Sequence, residues 1–228
     1  MLTFTNHMDD QISIQEGLSV KQQQIVTIAA FTANGNLVAL DTALNQGLNA
    51  GLTISEIKEV LVQLYAYCGF PGSLQGINTF MKVLEKRKDS WIKDHEGKDA
   101  TPVTTTTDKY ERGRKILEQL TGRPETGPKM GAAAFAPVID TFLKEHLFAD
   151  IFERDVLNYK DRELATISAL ISLKGVEPML QAHLNMGMNV GLSPQQIDHL
   201  IAIIHERVGQ TEAAIAKTIY QKVHDSRS

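Results

Sequence analysis

Apolar residues crowd the chain between positions 21 and 33, where Ile25, Val26, Ile28, Ala29 and Ala30 fit a helix buried on most of its faces. A second helix is expected to start at Thr53, an N-cap followed three residues later by Glu56, and to run through Ile57, Val60, Leu61 and Leu64 at helical spacing. It should end near Gly69, because Pro71 forbids simple continuation, with a third helix over residues 73–88. The second half repeats the plan, with helices expected over residues 161–173, 178–190, 194–208 and 212–224. Pro178 and Pro194 suit first-turn positions, and Ser193 is the N-cap of the latter helix. Two further helices are expected, over 109–120 and over the apolar stretch 137–147, separated by a Gly/Pro-rich loop at 121–129. No alternating strand pattern occurs, so the expected fold class is all-α.

Residues 89–108 break the periodicity. They run through Asp94-His95-Glu96-Gly97-Lys98 to Thr101-Pro102-Val103 and four threonines, a composition that reads as a linker. The chain thus divides into a first unit at 1–88, a linker at 89–108 and a second unit at 109–228. The two units repeat one another. Leu18-Ser19-Val20-Lys21 matches Leu157-Asn158-Tyr159-Lys160, and Thr27-Ile28-Ala29-Ala30 matches Thr166-Ile167-Ser168-Ala169. After a one-residue slip, Gly47-Leu48-Asn49-Ala50-Gly51-Leu52-Thr53 matches Gly187-Met188-Asn189-Val190-Gly191-Leu192-Ser193. Ile57 then meets Ile197, and Gly69 meets Gly209. Each unit leaves an apolar face that pairing with the other would bury. Residues 109–150 add helices ahead of the second copy, whereas the residues before the first copy are too few to match them.

Composition narrows the function classes. The 228 residues are 43% hydrophobic and 22% charged, with net charge −4 and scattered basic residues, so no nucleic-acid footprint is expected. The run Glu85-Lys86-Arg87-Lys88 reads as a solvated helix end. One cysteine, Cys68, excludes an internal disulfide. The first residues lack a basic segment followed by an apolar run, and no apolar stretch approaches the ~20 residues of a spanning helix. A cytoplasmic protein without membrane contact is expected.

Tyr110-Glu111-Arg112-Gly113, Ala136-Pro137 and Phe148-Ala149-Asp150-Ile151-Phe152-Glu153-Arg154 resemble segments of the carboxymuconolactone decarboxylase family. So do Leu157, Arg162-Glu163-Leu164-Ala165-Thr166-Ile167, Gln181-Ala182-His183 and, in the first copy, Tyr67-Cys68-Gly69-Phe70-Pro71. The resemblance implies the alkylhydroperoxidase D-like helical fold in two tandem repeats of a helical-hairpin unit. It also implies a homo-oligomer, with a trimer of tandem chains making a six-unit ring. It does not settle the reaction, because members of one fold differ in chemistry.

The peroxidase branch of that fold carries a Glu, a C-x-x-C pair and a His, since its chemistry needs one thiol to attack and one to resolve. The matching stretches, Lys174-Gly175-Val176-Glu177-Pro178-Met179 and Asn34-Gly35-Asn36-Leu37-Val38-Ala39, hold no cysteine. Cys68 lies elsewhere and reads as a small core residue. What remains of the family pattern is Glu163 and His183, whose first-copy counterparts Gln24 and Ala43 cannot do acid–base work. A tight turn at Lys174-Gly175 brings them close: at ~1.5 Å rise per residue, antiparallel packing leaves a stagger of ~6 Å, which the two side chains can span. A carboxylate there would fix the imidazole's tautomer and make it a base suited to neutral pH. The alternative is a satisfied core histidine, with Arg162 and Glu163 in helix-surface ion pairs with other charges. Tyr67, Cys68 and His205 are further candidates for lining the pocket.

His199 and His205 are six apart and share no helical face; His7, His95, His146 and His224 fall in or near exposed segments, and no metal-ligand spacing emerges. Met179, Met186 and Met188 read as packing residues. The favoured function is a cofactor-independent enzyme acting on a small lactone or carboxylated metabolite. The alternatives are an alkylhydroperoxidase-like antioxidant, or a ligand-binding oligomer without catalysis.

Overall fold

A computed structural model describes residues 17–227. His7, and the question of what precedes the first copy, lie outside the described residues. These form helices α1 (Val20–Asn34), α2 (Leu37–Asn49), α3 (Ile54–Gln63), α4 (Tyr65–Asp89), α5 (Lys109–Thr121), α6 (Gly131–Phe135) and α7 (Pro137–Thr141). A π-helix, Phe142–Phe152, follows, then α8 (Tyr159–Ser172), α9 (Glu177–Asn189), α10 (Pro194–Arg207) and α11 (Gln210–Asp225). No strand occurs among the described residues, and no helix there is long and apolar enough to cross a membrane.

Helices α1 and α8 form the central pair, each buried on nearly every face. They meet at matched positions: Gln22 Nε2 donates to Asp161 Oδ1 at 3.0 Å, across a sequence separation of 139 residues. The shared G-x-N-x-G-L signature has a physical reason. A Cβ at Gly47 would sit 3.0 Å from Ile28 and 3.2 Å from Leu52; one at Gly187 would sit 3.1 Å from Ile167 and 2.9 Å from Leu192. Glycine lets α2 and α9 lie this close to α1 and α8 without displacing those side-chain ends. The second glycine of each motif, Gly51 (φ 90°) or Gly191 (φ 97°), takes the left-handed turn that ends the helix. Thr53 and Ser193 then cap α3 and α10, each in a reciprocal capping box with Glu56 and Gln196 respectively.

The expected end near Gly69 is where the helical geometry breaks: Gly69 leaves it (φ 72°, ψ 167°), so the span Tyr65–Asp89 of α4 is two helices joined across a kink, and a further interruption at Leu64 separates α3 from it. Pro71 falls in the first turn after that kink, where a missing N–H costs little. Helix α2 was not among the expected elements; Asn36 is its N-cap, accepting from Ala39 N. Finally, the basic run at 85–88 is not wholly solvated. Arg87 is buried, and its guanidinium holds Asp94 through Nε (2.9 Å) and Nη2 (2.7 Å).

That contact straps down the first half of the linker. His95 O and Glu96 O accept from the free first-turn N–H groups of Ile54 (2.9 Å) and Ser55 (2.8 Å). Helix α5 packs on the π-helix so tightly that a Cβ at Gly113 would collide with the Lys144 carbonyl. Their contact is a smaller apolar cluster around Ile116, Leu120, Leu147, Phe148, Ile151 and Phe152.

Candidate active site

Glu163 projects from the middle of α8 and is 0% exposed, while His183, on the antiparallel α9, is 8% exposed. His183 Nδ1 lies 2.8 Å from Glu163 Oε2. The close approach licensed by Gly187, one turn beyond His183, brings the two helices within this reach. A carboxylate only accepts, so Nδ1 carries the proton and Nε2 presents its lone pair. Arg162 and Glu163 do not lie on the helix surface, since both are 0% exposed; Arg162 is paired with another charge, Glu59, and Glu163 with His183.

The third member comes from the first copy. The Tyr67 ring sets its edge against the imidazole, with centroids 5.7 Å apart and planes at 80°. Burial and the Glu163 carboxylate push the phenol far above its ordinary pKa; Thr166 and Arg162 oppose this and lose, so Tyr67 keeps its proton. The Tyr67 hydroxyl lies beside the Thr166 hydroxyl, which also accepts from Gln63 Nε2 at 2.9 Å. Tyr67 Oη and Glu163 Oε1 are both buried atoms without a hydrogen-bond partner. Buried polar atoms are rarely left so, and here a donor and an acceptor flank one imidazole.

Around this centre runs a network the sequence reading missed. Arg162 Nη1 donates to Gln63 Oε1 (2.8 Å), and Nη2 to Glu59 Oε1 (2.7 Å) and the Arg154 carbonyl (2.6 Å). Burial draws the Arg162 guanidinium below its ordinary pKa, with Glu59 opposing. Glu59 and Gln63 are polar residues one helical turn apart on the buried face of α3, among Val60, Leu61 and Leu64. That polar interruption of an apolar stripe was the available signal.

The other sequence candidates do not join the pair. Cys68 is half-buried, gives its S–H to Leu64 O at 3.2 Å, and has its thiol pKa raised by burial, the opposite of an activated thiolate. His205 is exposed and lines a groove between α10 and α11 with Asp198, Glu206 and Lys217, so it belongs to no common pocket with His183. His199 Nδ1 accepts from Leu18 N at 3.1 Å, a structural role. Met186 packs with the α5 cluster and Met188 with the main core, whereas Met179 is exposed. No group of three His, Cys, Asp or Glu suited to a metal ion occurs among the described residues.

A second buried cluster lies apart from this site. Lys144 Nζ contacts Asp140 (2.6 Å), Glu125 (2.8 Å) and Tyr110 (3.0 Å), and Lys129 also reaches Asp140 at 2.6 Å. Burial alone would disfavour both charges, but these bonds outweigh it: they hold the Asp140 carboxyl well below, and the Lys144 ammonium well above, their ordinary ranges. Such locked charges stabilise structure and exchange no protons near neutrality.

No curated protein matches the chain in a sequence comparison. The model of the carboxymuconolactone decarboxylase family matches residues 1–79 and again 137–220, segments that contain Tyr67 and the Glu163–His183 pair respectively. The chain therefore belongs to the carboxymuconolactone decarboxylase family.

Proposed function

We propose that this protein is a cofactor-independent acid–base enzyme acting on a small lactone or carboxylated metabolite, with His183 as the proton-transfer group. The observation that carries the reading is the buried 2.8 Å Nδ1–Oε2 contact, which leaves Nε2 as the imidazole's second nitrogen, in a site where Tyr67 Oη and Glu163 Oε1 lack partners. Nε2 takes a proton from a carbon next to the substrate carbonyl, and the electron pair of that C–H bond moves onto the carbonyl oxygen. The Tyr67 hydroxyl, held protonated, donates a hydrogen bond to the enolate so formed. Return of the proton from the imidazolium to another carbon completes an isomerisation. In a decarboxylation Nε2 instead takes the proton of the substrate's carboxylic acid. The C–C bond breaks as CO2 leaves, its electron pair passing into the enolate, and the imidazolium returns that proton to the enolate carbon.

A thiol peroxidase reading finds little support, since Cys68 has no resolving partner and its thiol is held protonated. A homo-oligomer, a trimer by the tandem argument, is part of the proposal. Phe135, Val138, Ile139, Phe142 and Leu143 form an exposed apolar stripe at the start of the π-helix region, and Phe70 is exposed while stacking on Tyr65, which also contacts His146 of the π-helix. A neighbouring copy seated there would cover this apolar surface.

The test is kinetic. Screening lactones and carboxylated enones should reveal turnover; His183→Gln should then remove most of it, a base of this kind supplying ~10²–10⁴-fold. Tyr67→Phe keeps the ring contact and should cost roughly 10²-fold in kcat. Melting temperature should hold in both variants. Full activity in His183→Gln, or loss of activity only through loss of the fold, would leave His183 a core residue.

A further inference from the structure

The repeat carries the candidate active site onto a second location. Through the matches that pair Thr166 with Thr27 and His183 with Ala43, and with Tyr67 facing Arg207 two residues before the matched glycines, the counterpart site lies in the first copy. A cleft is there. It has a volume of about 230 Å³ and is lined by Thr27, Phe31, Ala39, Ala43, Gln46 and Arg207, with Thr42 at its edge. The space exists because Ala43 stands where the second copy fills the interior with an imidazole. Glu163 Oε1 and its counterpart, Gln24 Oε1, are both buried acceptors without a partner.

We infer that this cleft is a binding site for a small monocarboxylate with an apolar body. Arg207 supplies the charge: its guanidinium makes no hydrogen bond or ion pair with any described residue, and neither do the side chains of Thr42 and Gln46 beside it. Three polar side chains without partners among the described residues thus line one cleft. A guanidinium presents a planar fork that matches a carboxylate, and one cation matches one negative charge. Phe31, Ala39 and Ala43 give the other end an apolar floor. The volume is below the range for drug-sized ligands, which points to a compact molecule. No titratable base faces the cleft from the first copy, so the site binds and does not transform. It stands on Arg207 and the cleft, independently of what His183 does.

Benzoate serves as the probe, titrated into the full-length protein and followed by heat release and ligand NMR. Saturable binding is expected, with benzamide, its uncharged analogue, about tenfold weaker or more. Arg207→Gln should weaken benzoate by a similar factor, and Ala39→Leu should block it by filling the floor. His183→Gln should bind benzoate as the unaltered protein does, which separates this site from the candidate active site. Arg207 is exposed, so its substitution leaves the fold intact and suffices should Ala39→Leu melt lower. Absence of saturable binding, indifference to Arg207→Gln, or loss of binding in His183→Gln alone would each overturn the inference.

Discussion

Lys144 is 1% exposed yet carries a full charge, and what it contributes is set by Asp140, Glu125 and Tyr110 around it. Asp140 gives this a pH signature. Its folded pKa lies below the value of about 3.9 for a free aspartate, so its stabilising contribution is complete above that value and disappears as pH falls through the folded one. Asp140→Asn should therefore lower the melting temperature at pH 7, and the gap to the unaltered protein should narrow as pH drops below about 4. Thermal melts across pH 3–7 check this; a gap that stays constant would mean the aspartate acts by packing alone. At this scale the sequence was partly legible. Glu163 and His183 could be paired from a turn and a helical rise, since both lie on one hairpin. Tyr67 could be named but not placed, because its contact with His183 spans the two copies. Nothing in the spacing tells Arg162 to turn away from Glu163 toward Glu59. That choice follows from which face of α8 meets α3, a tertiary fact.

Among the elements, the hairpin of α8 and α9 depends most on a single small residue. Gly187→Ala would put a methyl group 2.9 Å from Leu192 and 3.1 Å from Ile167, forcing α9 outward. A loss of about 1–3 kcal/mol is expected from such overpacking. Because His183 lies one turn away on α9, activity should fall by more than the unfolded fraction explains. Denaturant unfolding alongside kcat measurement separates the two effects; an unchanged kcat per folded molecule would show that helix spacing does not govern the pair. Caps and periodicity made most helices readable, Thr53 with Glu56 above all. The π-helix was read only in part, as an ordinary helix over 137–147. Its departure from α geometry accompanies the backbone contact between Gly113 and Lys144, which no hydrophobic period records.

For the whole molecule, the exposed apolar stripe from Phe135 to Leu143 sets the clearest expectation. Light scattering should return three times the chain mass, and Phe142→Glu together with Val138→Glu should reduce it toward one chain without loss of helical signal. A monodisperse single chain in the unaltered protein would contradict the proposed assembly. The paired cores of α1 and α8 carry a consequence for how the chain reaches this state. Their contact joins residues 139 apart, and Leu18 bonds His199 across 181. Contacts of such sequence separation close late and slowly, because the long intervening loop must be ordered first. While a ribosome is still making the second copy, the first has synthesised every residue of its own helices yet lacks the surface that covers α1. A nascent chain halted at the linker is thus a half-finished interface, exposed to whatever apolar surface it meets, and the protein's yield in a cell rests on how quickly α8 arrives.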